Sequence, residues 1–143
     1  MSVDTLPTTH LYQEIQQFYA GQMQLLDSGA AEAWADTFTE DGVFAANANA
    51  PVGGRSAIAA AARSTTDDLV ARRIQRRHWL GMLHVQPVGV DEVKVSSYAL
   101  ILEIPSGGEV SARLSTTCDD TLVRGGNGGW LVRERRVVRD DLR

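Results

Sequence analysis

The 143-residue chain is short of several things, and each shortage excludes something. It has one cysteine, Cys118, so neither an internal disulfide nor a zinc site built from several cysteines is available. No stretch approaches the ~20 apolar residues that cross a bilayer. Neither sign of charge dominates: the net charge is −4, with acids and bases interspersed. That balance excludes the basic face of a nucleic-acid or anionic-membrane binder. Only three histidines are present. They form no HExxH and no closely spaced pair, so no metal and no cofactor are expected. The opening MSVDTLPTT lacks an apolar run and a basic leader; no signal peptide is expected, and a cytoplasmic location follows. Repeats, low-complexity tracts and linkers are also missing, which predicts one domain over residues 1–143.

What remains is two kinds of periodicity. Folding a chain of this length removes about 70% of its surface from water, enough for one core and a cavity. Pro7, Thr8 and Thr9 offer a helix start. Leu11, Ile15, Phe18, Tyr19, Gln22, Leu25 and Leu26 then recur at three- and four-residue steps, one face of a helix of about five turns. Gly29 suits the left-handed residue that ends it. Ala31, Trp34, Ala35 and Phe38 predict a second, shorter helix, and Val43-Phe44-Ala45 a first short strand. Asn47 to Gly54 reads as loop. The alanine-rich Ser56 to Arg63 favours a third helix that continues through DDLVARR.

From Ile74 the period changes to two. Ile74 to Gln86 predicts a long strand, and Val93 to Ile104 alternates. Glu109 to Arg124 and Trp130 to Val138 are two further strands joined by GGNGG, a hairpin connection rather than a nucleotide loop. Helices first and a meander afterwards define the α+β class: about three N-terminal helices laid across a curved, mainly antiparallel sheet. Gly81 would permit the bend that makes the sheet a cone. Such a cone encloses an apolar hollow suited to a small hydrophobic, aromatic ligand.

Four segments, LLDSGAAEAWADTFTEDGVF, GGRSAI, RRHWLGM and DDTLVRGGNGGWLVRERRVV, fall in an order that resembles the nuclear-transport-factor-2-like superfamily in its SnoaL-like branch. A further resemblance is to accessory proteins of aromatic polyketide pathways that make pyran-ring quinones. The resemblance implies a cystatin-like cone and a proton-transfer site. Asp27 and His78 match an Asp and a His that work together in dehydratases of the superfamily, the carboxylate fixing the imidazole tautomer. This chain departs from the dehydratase pattern at three places. Gln22 stands where a Tyr is common, Met82 where an Asn is common, and Cys118 where a Tyr opens the fourth-strand motif. Tyr19 or Tyr98 would then supply the missing phenol.

Three further expectations concern ligand contact. Trp34, Trp79 and Trp130 are candidates for an aromatic wall, and Phe38 for a further ligand contact. Arg76, Arg77, Arg133, Arg135 and Arg136 predict ion pairs with Glu103, Glu134, Asp140 and Asp141. One arginine would enter the hollow to hold a substrate carboxylate; alternation leaves Arg135 and Arg136 open, and Arg136 is taken as the candidate. His84 shares strand parity with His78 but lies ~20 Å along the strand, too far for a shared ion, and is read as peripheral. His10 is read as exposed.

Three functions fit these residues. One is a cofactor-free acid–base enzyme on a polycyclic aromatic polyketide, catalysing dehydration, cyclisation or stereochemical control of ring closure. The second is a non-catalytic carrier or stabilising subunit. The third, an epoxide-hydrolase-like enzyme, needs an Asp–Arg–Asp set with Asn and Tyr. The broad outer sheet face predicts a homodimer.

Overall fold

The computed structural model describes residues 5–143, with side chains from residue 9 onward. Helix α1 (Thr5–Asp27) is followed by α2 (Ala31–Ala35), β1 (Phe38–Ala46), β2 (Val52–Gly53), α3 (Arg55–Ala71), β3 (Ile74–Pro87), β4 (Glu92–Pro105), β5 (Ser111–Arg124), β6 (Trp130–Arg139) and a terminal 3-10 turn, Asp140–Leu142. The helix start expected at Pro7-Thr8-Thr9 moves upstream to Thr5, and the side chains of Pro7 and Thr8 lie outside the described residues.

The six strands form one sheet in the order β2-β1-β6-β5-β4-β3. β1 runs parallel to β6, and the other neighbours are antiparallel. Helices on a curved mixed sheet make the α+β cone. Among the described residues no helix is long and apolar enough to cross a membrane.

α1 ends as its sequence dictates. Gly29 has φ +87°, a region that only glycine enters at little cost. Its N–H bonds the Leu26 carbonyl at 3.1 Å, and the Ala30 N–H bonds the Leu25 carbonyl at 3.0 Å. These are the paired bonds of a Schellman end. They turn the chain sharply, so that Asp27 sits on the last turn with α2 folding back beside it. Phe38 does not extend α2 as its spacing suggested. The helix stops at Ala35, and Phe38 opens β1, where Arg55 donates to its carbonyl through Nε at 2.9 Å and Nη2 at 2.6 Å. That fork ties the start of α3 to the strand.

Irregular pairing bends the sheet. Register breaks lie between Gly81 and His84, between Ile101 and Leu102, and between Thr121 and Leu122. An extra residue on one strand bends it and reverses which face later side chains take. On β3 the bulge falls at Met82, whose φ is +55°, and not at Gly81. Ile74, Arg76, His78 and Leu80 are shielded before the bulge; Leu83 and Val85 are shielded after it. His84 therefore takes the exposed face, opposite to His78. Its expected shared parity is corrected; its peripheral place is not.

The core fills the concave side. Ile15, Trp34, Phe38, Ile58, Val95 and Leu122 belong to one buried cluster between the helices and the sheet. Trp130 is buried too, but it secures the hairpin to α1, donating from Nε1 to Glu14 at 3.2 Å. The GGNGG turn closes as expected, with Gly125 N–H on the Gly129 carbonyl at 2.7 Å and Gly128 at φ +84°.

Candidate functional site

The last turn of α1 and the middle of β3 meet at Asp27 and His78. Asp27 Oδ1 lies 2.6 Å from His78 Nδ1, and Oδ2 accepts the His78 backbone N–H at 2.9 Å. One carboxylate thus grips both the ring and the strand. A neighbouring side chain reinforces the joint: Gln75 Nε2 donates at 2.9 Å to the Asp27 carbonyl, one of the acceptors a helix end leaves open. The two side chains are largely shielded, at 7% and 16% exposure. With the carboxylate on Nδ1, the ring proton belongs there, and Nε2 keeps its lone pair.

The pair forms part of the wall of a cavity of about 500 Å³. Leu26, Trp34, Phe44, Ile58, Leu80 and Ile101 supply much of its apolar lining. Trp34 is held edge-on to Phe38 and Phe44, at 5.0 and 6.2 Å between ring centres. On the other side of the dyad, a groove of about 520 Å³ between α1 and β3 is lined by Gln13, Gln16, Gln17 and Gln24. Asp27 and His78 border both hollows.

A charged network underlies the cavity. Arg135 donates to Asp120 from Nε at 3.0 Å and from Nη2 at 2.9 Å, and from Nη2 to Gln22 Oε1 at 2.7 Å. Tyr19 donates to Asp120 Oδ2 at 2.7 Å, and Gln22 Nε2 to Thr37 Oγ1 at 2.7 Å. The guanidinium also lies over the rings of Phe38 and Tyr19, at 5.5 and 5.9 Å. Burial pushes the Tyr19 phenol well above its ordinary range, and Asp120 adds to that. Burial alone would lower the Arg135 cation, but Asp120 more than offsets it. Cys118, in the cavity wall, donates to Asp120 Oδ1 at 3.4 Å; burial, then Asp120, pushes its thiol up to about 12. It stays a neutral thiol at physiological pH.

The expected contact residues divide sharply. Asp27, His78, Trp34 and Cys118 line the cavity. Tyr19 and Gln22 are buried behind it, their polar atoms committed to the network. Phe38 is fully buried core; Phe44 takes the wall position instead. Met82 is 78% exposed because the bulge turns it out, and Tyr98, at 60%, alternates onto the convex face. Trp79 shares that face. Arg136 is exposed and pairs with Glu134 at 3.1 Å, while Arg135 is the one that points inward. The reason is a break in alternation: Trp130 and Val132 face in, Arg133 and Glu134 are both exposed, and Arg135 then faces in. Thr121 pairs with Glu134 and Leu122 with Val132, so Arg133 is the extra residue on β6, and this bulge carries the shift. Of the expected ion pairs, Arg76–Glu103 and Arg136–Glu134 form, the first of them beside the cavity, while Asp141 and Asp140 are taken by Arg139 and Arg143. Arg133 instead pairs with Glu92 at 3.0 Å.

Asp120 escaped the sequence reading, and Arg76 was named only as one of five arginines of which one would enter the hollow. Asp120 carries the buried network, and nothing in DDTLV separates it from Asp119. Arg76 lines the cavity two residues before His78; strand parity alone would have found it.

A SnoaL-like domain matches residues 7–136. The chain belongs to the SnoaL-like family. No curated protein matches it significantly. Among solved structures, one from Catenulispora acidiphila in complex with S-DNPA is 36% identical, with a TM-score of 0.81, over 94% of this chain and 96% of that one. ActVI-ORFA from Streptomyces coelicolor is 35% identical, with a TM-score of 0.82, over 92% and 96%. An NTF2-like protein with a cystatin-like fold from Novosphingobium aromaticivorans is 28% identical, with a TM-score of 0.81, over 96% and 87%. The SnoaL-like assignment and the cystatin-like cone read from the sequence both stand. Other SnoaL-like sheets share this architecture, so the chemistry must be argued from side chains.

Proposed function

We propose that this protein is a cofactor-independent acid–base catalyst acting in the cytoplasm on a polycyclic aromatic polyketide intermediate, by dehydration or ring closure. The observation that carries the reading is the 2.6 Å Asp27–His78 contact in the wall of an apolar cavity. A volume of about 500 Å³ lies within the range of small-molecule sites. Family membership and the S-DNPA complex of the Catenulispora relative support a small-molecule ligand.

His78 Nε2 takes a proton from carbon next to a ketone. The resulting imidazolium is stabilised by Asp27 and returns the proton to the departing hydroxyl, which leaves as water. The apolar walls hold the flat substrate against the base and keep bulk water from competing. Ring closure runs this movement in reverse: His78 takes the proton of a nucleophilic hydroxyl as its oxygen adds to an enone, and the imidazolium returns that proton to the carbon next to the ketone.

The network argues against an epoxide hydrolase. It contains one carboxylate, Asp120, which already accepts from Tyr19, Arg135 and Cys118. Among the described residues no second carboxylate joins this network to hold an attacking water. The commitment of Tyr19 and Gln22 to this network does favour the carrier reading as the alternative, since neither polarises a ligand carbonyl.

A β-hydroxy ketone separates the two. 3-Hydroxy-1-tetralone loses water to give 1-naphthol, which fluoresces. The protein is expected to accelerate naphthol formation and to exchange the protons next to the ketone in deuterated water. A carrier binds the tetralone and does neither.

We also propose that the chain forms a homodimer through the convex sheet face. Trp79 and Leu100 are cross-strand partners there, and Tyr98 is adjacent; all three are exposed. Sedimentation velocity is expected to give the mass of a pair, and the mass of one chain at micromolar concentration would remove this proposal.

A further inference from the structure

β3 is an edge strand, with β4 on one side and no strand on the other. The His78 N–H lies on that open side, since it donates to Asp27 Oδ2 at 2.9 Å. In an antiparallel pair every second residue turns its backbone groups the same way. Arg76 therefore turns its carbonyl to the open side as well, and there it accepts from Gln75 Nε2 at 2.7 Å. An unpaired edge must be covered. Here Asp27 and Gln75 cover it, at the two places where a further strand would pair with His78 and Arg76.

The two covers are bonded to each other. Gln75 Nε2 also donates to the Asp27 carbonyl at 2.9 Å. The neighbouring carbonyls of the helix end are closed by other means. Gln24, Leu25 and Leu26 accept from the N–H groups of Ser28, Ala30 and Gly29. Gly29 accepts from Arg63 of α3 at 3.2 Å. Among the described residues, Gln75 and His78 are the β3 side chains hydrogen-bonded to the last turn of α1. Both amide protons of Gln75 are used in this way, so it keeps none for a ligand although it borders the cavity. Helix ends fray. A carboxylate on two rotatable bonds stays 2.6 Å from an imidazole only while its own backbone is held.

We propose that Gln75 is a positioning residue: by tying the Asp27 carbonyl to the open edge of β3, it holds the Asp27 carboxylate on His78 Nδ1 and keeps His78 Nε2 directed at the substrate. It acts through the dyad and touches no reacting atom. The proposal rests on the dyad being the proton-transfer site, as argued above.

The test uses Gln75→Met, which has the reach of glutamine and no donor. A catalytic group misplaced by about 1 Å can lose about 10² in rate. Single-turnover dehydration of the tetralone is expected to slow about tenfold to a hundredfold, while the affinity for 1-tetralone, which has no hydroxyl to lose, changes less than about threefold. The Nδ1 proton of His78, read by NMR without any ligand, should give a far-downfield resonance in the unaltered protein that broadens away in Gln75→Met. Gln75→Lys, whose ammonium can donate to the same two carbonyls, should restore most of the rate and the resonance. Gln75→Glu, which sets a carboxylate against those carbonyls, should lose both. If the methionine variant does not fold, the lysine and glutamate variants carry the same comparison. A folded Gln75→Met that keeps its rate and its resonance overturns the proposal, and so does one whose ketone affinity falls as far as its rate, since Gln75 would then be a ligand contact. An unaltered protein that turns over no tetralone, yet has a resonance that depends on Gln75, overturns the function proposed above and leaves the positioning role standing.

Discussion

Replacing His78 with alanine is expected to lower turnover by about a thousandfold while changing ligand affinity by less than about tenfold. Removing a positioned general base costs typically 10²–10⁴ in rate. The ring is one element of a largely apolar wall, so the binding surface survives. Asp27→Asn is expected to cost roughly a hundredfold, for a different reason. An asparagine donates an N–H toward Nδ1, which forces the ring proton onto Nε2 and removes the lone pair from the cavity side. It retains an oxygen for the His78 backbone N–H, so the strand stays in place. Single-turnover rates with the tetralone, read beside ligand titrations, separate the two effects. Unchanged turnover in the His78 variant would remove the imidazole from the mechanism.

The second large effect is on stability. Asp120→Ala is expected to cost about 3–5 kcal/mol, the usual penalty for leaving a buried charge without its partner. Arg135 and Asp120 side chains are 4% and 1% exposed. Losing the carboxylate also strands the Tyr19 hydroxyl and the Cys118 thiol. A domain of this size has about 5–15 kcal/mol in total, so the variant should unfold at markedly lower urea concentration. The double variant Asp120→Leu with Arg135→Met should be less damaged than Asp120→Ala, because no uncompensated charge remains. Urea midpoints for the three proteins decide this; a double variant as unstable as the single one would show that packing, not charge, governs the position.

The same network sets an alkaline limit. Cys118 has its thiol raised from an ordinary 9.0 to about 12, and the Tyr19 phenol is raised as well. Raised acids favour the fold while both states are protonated. Their contribution is complete below the unfolded values, and it fades as the unfolded chain ionises. Stability is therefore expected to fall as pH rises from about 9 toward 12, and Cys118→Ser should begin that fall later. Chemical denaturation at stepped pH reads it directly.

Much of the scaffold was legible in residue order. The three- and four-residue apolar steps of α1, the left-handed Gly29, the change to period two at Ile74 and the GGNGG hairpin all depend on chain-local physics: sterics, capping and one-sided burial. They gave the class and the element order; the two residues of the dyad came from the resemblance to dehydratases of the superfamily, which matched Asp27 and His78 to a helix end and a mid-strand position. The faces of strands were a different matter. A bulge is a tertiary compromise between neighbouring strands, and a single added residue reverses inward and outward for everything beyond it. That is why Met82 and Arg136 face water, why Arg135 rather than Arg136 lies beneath the cavity, and why His84 parted from His78. Whether Tyr19 and Gln22 touch a ligand or Asp120 and Arg135 was likewise undecided until strands distant in sequence were brought together, because buried polar groups take whatever partner the assembled fold supplies.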